Sequence, residues 1–304
     1  MARPVLVTGC SSGIGLAIAT HLAAREVPVY AMVRSDADVA RLARIDGVQP
    51  LMCDVTDDVQ VAHMRAAIDA RGDGLWGIVH NAGIAHLGHL TTTSLDELKS
   101  VFEVNVFGVH RVTNALVDLI VASRGRIVTI SSLSGTLSSP HLGAYSMSKH
   151  ALEAYTDALS KQLAPLGVHV CAVAPGNFAS ALVRSAVERF APPADASDGL
   201  KALFAPGADT SRSEYPGPEP VAVACHAALF DETPLERYLV VPNAEEADVT
   251  LRQAAHEWAR LNASTPHGWS HERIVATVEA GGGGAAAVAE GGAQPRDPAA
   301  VGRG

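Results

Sequence analysis

The stretch Pro4-Val-Leu-Val-Thr8-Gly9-Cys-Ser-Ser-Gly13-Ile-Gly15-Leu16-Ala-Ile-Ala19 decides the fold. Pro4–Thr8 is an apolar run of strand length, and the pattern from Leu16 onward is helical. Between them the glycines let the backbone turn sharply and come close to a ligand. The helix N-terminus supplies unpaired N–H groups and partial positive charge, which suits a pyrophosphate. The spacing is G-x-x-x-G-x-G, not G-x-G-x-x-G, so the strand–loop–helix context carries the reading more than the glycines alone. Gly9, Ser11, Ser12, Gly13, Ile14 and Gly15 are therefore candidate dinucleotide contacts.

Outward from this segment, short Val/Ile-rich runs alternate with helical patterns. Strands are expected at Pro4–Thr8, Pro28–Val33, Val48–Cys53, Leu75–His80, Arg126–Ile130, His169–Ala174 and Arg237–Val241. Helices are expected over about 13–25, 36–44, 57–71, 94–122, 143–165, 179–190, 218–230 and 245–261. Apolar strands separated by helices imply an α/β fold, a doubly wound parallel sheet of about seven strands with helices on both faces. Ligands then bind at the carboxyl ends of the strands. Residues 191–217 interrupt the alternation with Pro, Gly, Asp and Ser, and a lid is expected over about 178–217; the bland alternative is an insertion without a role. Residues 1–262 are read as one catalytic domain, and 263–304 as a low-complexity, disordered tail containing Gly281–Gly284. His271–Val278 is a candidate short helix within it.

Bulk properties exclude several classes. With 304 residues, 48% of them hydrophobic, and a net charge of −9, the chain has material for a core and no basic field for nucleic acid. No charged leader with a cleavage site is evident, and no apolar run reaches the ~18–20 residues of a membrane span. Cys10, Cys53, Cys171 and Cys225 are scattered, which fits a reduced cytoplasm better than a disulfide framework.

At the end of the second strand, where an NAD-selective site carries an acid, this chain has Val33 and Arg34. An arginine pairs with a 2′-phosphate, so NADP(H) is favoured, with Ser11 and Ser12 as further donors; the alternative is an ordinary surface arginine. Asp54, followed by Val55, can accept from the adenine amino group or cap the helix starting near Asp57.

Tyr145-Ser-Met-Ser-Lys149 places a phenol and an ammonium one helical turn apart. A phenol titrates near ~10, and a fixed cation beside it stabilises the phenolate. Such a tyrosine can act as general acid or base near neutral pH. Alone the pair is common. Its neighbours are Asn81-Ala82-Gly83 after the fourth strand, Asn105 in the long helix, Ser131-Ser132 after the fifth strand, and Pro175-Gly176 after the sixth.

In this order and spacing the residues resemble the short-chain dehydrogenase/reductase superfamily over about 3–245. Val5–Leu16 with Val29–Arg34 looks most like its estradiol- and retinol-type hydroxysteroid dehydrogenase branch. The resemblance implies a Rossmann-type domain and roles for particular residues. Tyr145 would exchange a proton with the carbonyl oxygen. Lys149 would lower the tyrosine pKa and bind the nicotinamide ribose. Ser132 would stabilise the developing alkoxide, or serve only as a turn or capping serine. Asn105 would hold a relay water, or bond backbone at a helix distortion. It also implies that Asn81, Ala82 and Gly83 order the central strand beside the cofactor, and that Pro175 and Gly176 lie by the nicotinamide. Ser180 stands where the family often has threonine. Phe178 lines the site or belongs to the core. Leu133, Leu137, Leu142, Leu182 and Phe204 are candidate apolar walls. His86, His89 and His141 lack an evident third metal ligand, so no metal is expected, and His89 or His141 is open to a substrate contact.

The expected function is NADP(H)-dependent interconversion of a ketone or aldehyde with an alcohol, on a bulky apolar small molecule, by a homodimer or homotetramer. The rival readings are reduction of an imine or hemiaminal and a non-catalytic NADP-sensing protein.

Overall fold

The computed structural model describes residues 3–281 apart from 193–195, 206–207, 209, 211–213 and 266. Parts of the expected lid, and the low-complexity segment from 282 to 304, lie outside the described residues. The chain divides into two compact units, Met1–Ala255 and His256–Gly304.

All seven expected strands form: β1 (Val5–Val7), β2 (Val29–Val33), β3 (Val48–Met52), β4 (Gly77–His80), β5 (Arg126–Ile130), β6 (His169–Pro175) and β7 (Arg237–Val240). They make one parallel sheet in the order β3-β2-β1-β4-β5-β6-β7. Successive side chains on a strand point to opposite faces. In β1 this sends Val5 and Val7 to one side and Leu6 to the other, so each face acquires its own core.

On the first face, Ile18 and Leu22 of α1 (Gly13–Ala23), Leu42 of α2 (Asp36–Leu42), and Val221, Cys225 and Leu229 of α9 (Glu219–Phe230) cover the sheet. The second face is covered by Val61 and Met64 of α3 (Asp58–Asp69), Val101 of α4 (Leu95–Phe102), Val112 and Leu116 of α5 (Gly108–Ser123), and Leu159 of α6 (Gly143–Leu163). Burying each such side chain fully stabilises the fold by about 1.5–3 kcal/mol before the entropy of ordering is subtracted. The remaining helices are α7 (Leu182–Arg189), α8 (Asp198–Ala202), α10 (Ala244–Ala263) and α11 (His271–Gly281).

The long helix expected over 94–122 differs in one respect. Residues Glu103–Phe107 form a π-turn between α4 and α5, with Asn105 at its centre. The Asn105 carboxamide bonds both backbone groups of Ile84, which a regular helix would not present to it. The continuous run Leu95–Ser123 is long and apolar enough to cross a membrane by length and composition, yet Val101, Val104, Val112, Leu116 and Ile120 along it are buried in the core.

In the C-terminal unit, the Trp258 and Trp269 rings lie 6.1 Å apart. The Asn262 side chain accepts from Trp269 N at 2.6 Å and donates to Trp269 O at 3.2 Å. Arg273 covers the Trp269 ring at 4.4 Å.

One buried group gives the fold an acid limit. His80 ends β4, is buried, and its Nε2 bonds Thr113 Oγ1 at 2.9 Å. Burial pushes its pKa down from 6.5 to about 3. The unfolded chain therefore binds a proton that the native state refuses between these values, and stability falls as pH drops through that window. About 3 kcal/mol should be lost between pH 6.5 and about pH 4, and His80→Gln should flatten this part of the profile. Urea unfolding midpoints across this range test the expectation; identical slopes for both proteins contradict it.

Candidate active site

The strand order reverses between β1 and β4, and the loops after these two strands meet there. Thr8 Oγ1 accepts from Asn81 N and Ala82 N, both at 2.9 Å. Asn81 Nδ2 donates to Thr8 O at 2.9 Å and Gly9 O at 3.0 Å. Gly9 adopts φ +71, and a Cβ on it would stand 2.8 Å from Ala82 Cα. A Cβ on Gly15 would collide with Gly9 O and Asn81 Nδ2. These two glycines are thus demanded by close backbone approach.

Ser12 is the N-cap of α1, but makes no side-chain capping bond, and the first turn contains no acid. In contrast, Ser35, Asp57 and Ser94 cap α2, α3 and α4 through their side chains. The N–H groups and positive end of α1 are left facing the cleft, a cradle fit for an anionic pyrophosphate.

That cleft has a volume of about 520 Å³. Gly9, Ser11, Ser12, Gly13, Ile14, Gly15, Arg34, Asp54, Val55, Asn81, Ala82, Gly83, Ser132, Tyr145, Lys149, Pro175, Gly176, Phe178 and Ser180 all line it. Residues from β1 to α7 thereby converge on one cavity.

At the adenosine end, Arg34 is more than half exposed and its Nη1 lies 3.6 Å from Asp54 Oδ2. Asp54 does not cap α3; that is done by Asp57, which accepts from Val59 N at 2.9 Å and Gln60 N at 3.0 Å. Asp54 instead accepts from Thr56 N at 2.9 Å and Thr56 Oγ1 at 2.8 Å. Burial opposes its ionisation, but the Thr56 donors and the Arg34 guanidinium hold its carboxyl below the usual carboxylate range. The sequence reading missed Arg41, which donates to Ser11 O at 2.6 Å and pairs with Asp38 at 2.7 Å. The Asp38/Arg41 spacing on a helix capped by Ser35 is its only sequence signal, and that spacing says nothing about a loop thirty residues away.

At the other end, Tyr145 and Lys149 lie one turn apart on α6, both buried. Lys149 Nζ stands 5.6 Å from the Tyr145 ring centroid and donates to Ile130 O at 2.7 Å. Burial pushes the Lys149 ammonium down from 10.5 to about 8, a fall that Glu153 partly opposes. Ser132 lines the cleft and also caps the turn Leu133–Gly135, accepting from Ser134 N at 3.1 Å. Asn105 is buried behind the cleft and does not line it. Its Oδ1 accepts from Ile84 N and its Nδ2 donates to Ile84 O and Ser148 Oγ, each at 2.9 Å. Ser148 Oγ in turn donates to Tyr145 O at 2.7 Å, so Asn105 ties the β4 loop to the turn that carries Tyr145.

The apolar end contains Leu133, Leu137, Leu142 and Leu182. Phe178 touches the cleft but is nearly fully buried in the core. Phe204 does not line the cleft. It follows α8 and packs with Leu142, Leu182, Leu200 and Leu203 around Ala85, Leu87, Tyr145 and Ala186. Ile84, Ile130 and Arg184 line the cleft without having been singled out in the sequence. The three histidines separate. His86 lies 3.7 Å from Glu97 and edge-on to Phe190, whereas His89 stacks on His141 at 4.6 Å. Among the described residues no three His, Cys, Asp or Glu side chains gather as a metal site.

A doubly wound sheet of this strand order, with a glycine loop and an open helix N-terminus at its switch point, is a Rossmann-type fold. The chain belongs to the short-chain dehydrogenase family, whose model matches residues 3–190. It is 36% identical to the mitochondrial D-beta-hydroxybutyrate dehydrogenase of Rattus norvegicus over 198 residues, 62% of this chain and 57% of that protein. The chain thus spans little more than half the length of that curated relative. It is 32% identical to an NADPH-dependent 3-dehydrocapnine reductase of Ornithobacterium rhinotracheale over 252 residues, 79% of this chain and 88% of that one. A short-chain dehydrogenase structure from Streptomyces avermitilis superposes with TM-score 0.69 at 30% identity, covering 87% of this chain and 98% of that one.

Lys149 also imposes a stability cost. Its charged form is disfavoured in the fold, so the cost is present at neutral pH and is relieved as pH rises from about 8 to 10.5. The shift corresponds to about 3 kcal/mol, and loss of the Ile130 bond offsets part of any gain. Lys149→Met should therefore be about 2 kcal/mol more stable than the wild type at pH 7, with the difference shrinking toward pH 10. Urea denaturation at both pH values checks this; a variant less stable at pH 7 contradicts it.

Proposed function

We propose that this chain is an NADP(H)-dependent carbonyl reductase or alcohol dehydrogenase acting on a bulky apolar small molecule. The observation that carries the reading is the convergence of Ser132, Tyr145 and Lys149 on the cleft that also holds the glycine loop and Arg34. When bound, the dinucleotide supplies or accepts the hydride. The α1 N-terminus and the glycine loop bind its phosphates, and Arg34 pairs with a 2′-phosphate once it turns from Asp54. Asp54, Asn81, Gly83, Pro175, Gly176 and Ser180 complete the dinucleotide groove in this reading.

During reduction the Tyr145 hydroxyl gives its proton to the substrate oxygen; during oxidation it takes the proton back. The Lys149 ammonium stabilises the phenolate left behind and holds the ribose hydroxyls. Ser132 Oγ donates to the oxygen on which negative charge develops. Asn105 fixes the Tyr145 turn through Ser148, and its carboxamide makes three bonds, to Ile84 N, Ile84 O and Ser148 Oγ. A relay through this region to solvent belongs to the same proposal.

Leu133, Leu137, Leu142 and Leu182 favour an apolar substrate, covered by a lid over about 178–217. α7 and α8 support that lid because their apolar residues pack with Tyr145. A relative named as NADPH-dependent agrees with the Arg34 reading. Four buried free cysteines agree with a reduced, cytoplasmic setting. Exposed Phe107 and Met147 on the Leu95–Ser123 run and α6 support a homodimer or homotetramer through these helices.

Two substitutions test the assignment. Tyr145→Phe should lower kcat about 10²–10⁴-fold against a panel of apolar ketones and aldehydes, with NADPH affinity retained. Full activity in that variant would remove the proposed proton donor. Arg34→Ala should weaken NADPH binding about 10–100-fold and leave NADH binding nearly unchanged, as measured by nucleotide fluorescence titration. Equal losses for both nucleotides would refute the 2′-phosphate role.

A further inference from the structure

Lys149, Glu153 and Asp157 recur at four-residue spacing along α6 and so share one face. Lys149 and Glu153 are buried, whereas Asp157 lies at the surface. Arg237, the first residue of β7, reaches this face from outside. Its Nη1 lies 3.0 Å from Glu153 Oε2, and its Nη2 lies 2.7 Å from Asp157 Oδ1. The charges alternate from the cleft outward: Lys149, Glu153, Arg237, Asp157.

Glu153 is the unusual member. Burying a carboxyl group behind this helix is costly unless neighbouring groups answer it. Asp157 anchors Arg237 by the shorter contact, so Glu153 is not required for that anchor. Glu153 Oε2 has no aligned hydrogen-bond donor among the described residues, despite its proximity to the guanidinium. Ser131 Oγ, beside Ser132, is likewise buried without a hydrogen-bond partner there. Both residues border Gly135, where a Cβ would lie 2.7 Å from Ser131 Oγ and 3.1 Å from Glu153 Oε1. A side chain at this point would crowd both groups.

We propose that Glu153 is a positioning residue that keeps Lys149 charged, and that Arg237 moderates it from the outer side. The proposal rests on the functional reading above, because a charged Lys149 matters through Tyr145. The groups facing Glu153 are Lys149 and Asp157 on α6, Arg237 on β7 with the neighbouring Glu236, and the neutral Ser131 and Gly135 after β5. Lys149 itself faces Tyr145 on its own helix, Ile130 O from β5, and Gly83. Glu153 thus supplies the negative charge that opposes the desolvation of the ammonium. Arg237, the charge of opposite effect, limits how far that opposition goes.

The only lysines in the chain are Lys99, Lys149, Lys161 and Lys201, so selective ¹³Cε-lysine NMR resolves this question without cofactor or substrate. Lys149→Met assigns the signal. In Glu153→Gln the Lys149 titration should move to lower pH by about 1 unit, and in Arg237→Gln it should move to higher pH. With NADPH and a carbonyl substrate, the alkaline limb of kcat should move in the same two opposite directions. A role confined to packing would depress both variants at every pH and move neither titration; that result overturns the proposal, as does a shift of both variants in one direction. Should Glu153→Gln fail to fold, the Arg237→Gln titration decides alone: an upward shift supports the proposal and any other result rejects it. Absence of turnover in the wild type would reject the functional reading, while the lysine titrations still decide the role of Glu153.

Discussion

A buried ammonium organises the site end of this molecule. Lys149 loses most of its hydration in the fold, and three features around it answer that loss. The Ile130 carbonyl accepts from it at the end of β5, Glu153 lies one turn behind it, and the cleft opens in front of it. Each feature comes from a different level of structure: a strand end, a helix periodicity and a loop boundary. An ammonium at this depth persists only if the sheet, α6 and the cleft keep their relative positions, so Tyr145 and Lys149 are held by the same packing that makes the core.

The dinucleotide end follows a second constraint, close approach of backbones. Thr8 and Asn81 exchange side-chain and main-chain hydrogen bonds across the switch point, which joins the two loops into one surface. Gly9 and Gly15 are the residues that this closeness permits. Arg41 then braces the Ser11 carbonyl from the outside. The floor of the cleft is consequently preorganised before any ligand arrives, which reduces the ordering cost of binding.

Between these two ends a third group of side chains packs together. Leu182, Ala186, Leu200 and Phe204 from α7, α8 and the turn after it pack with Ala85, Leu87 and Tyr145 in a small cluster distinct from the two sheet cores. Apolar side chains of α7 and α8 therefore rest directly on Tyr145.

The sequence by itself determined the strands, the glycine loop and many of the residues that line the cleft. Strand alternation, short loops and backbone-proximity glycines are local requirements, written in adjacent residues such as Val5-Leu6-Val7 and Gly9–Gly15. Only the tertiary structure decided the π-turn at Asn105, because that turn is drawn out by Ile84, twenty-one residues earlier in the chain. It likewise decided that Asp57 and not Asp54 caps α3, that Phe204 leaves the cleft for the cluster around Tyr145, and that Arg237 meets Glu153 across more than eighty residues. Hydrogen-bond and charge partners distant in the chain leave no periodicity to read, since the energy of each pairing depends on a distance that only the closed fold sets.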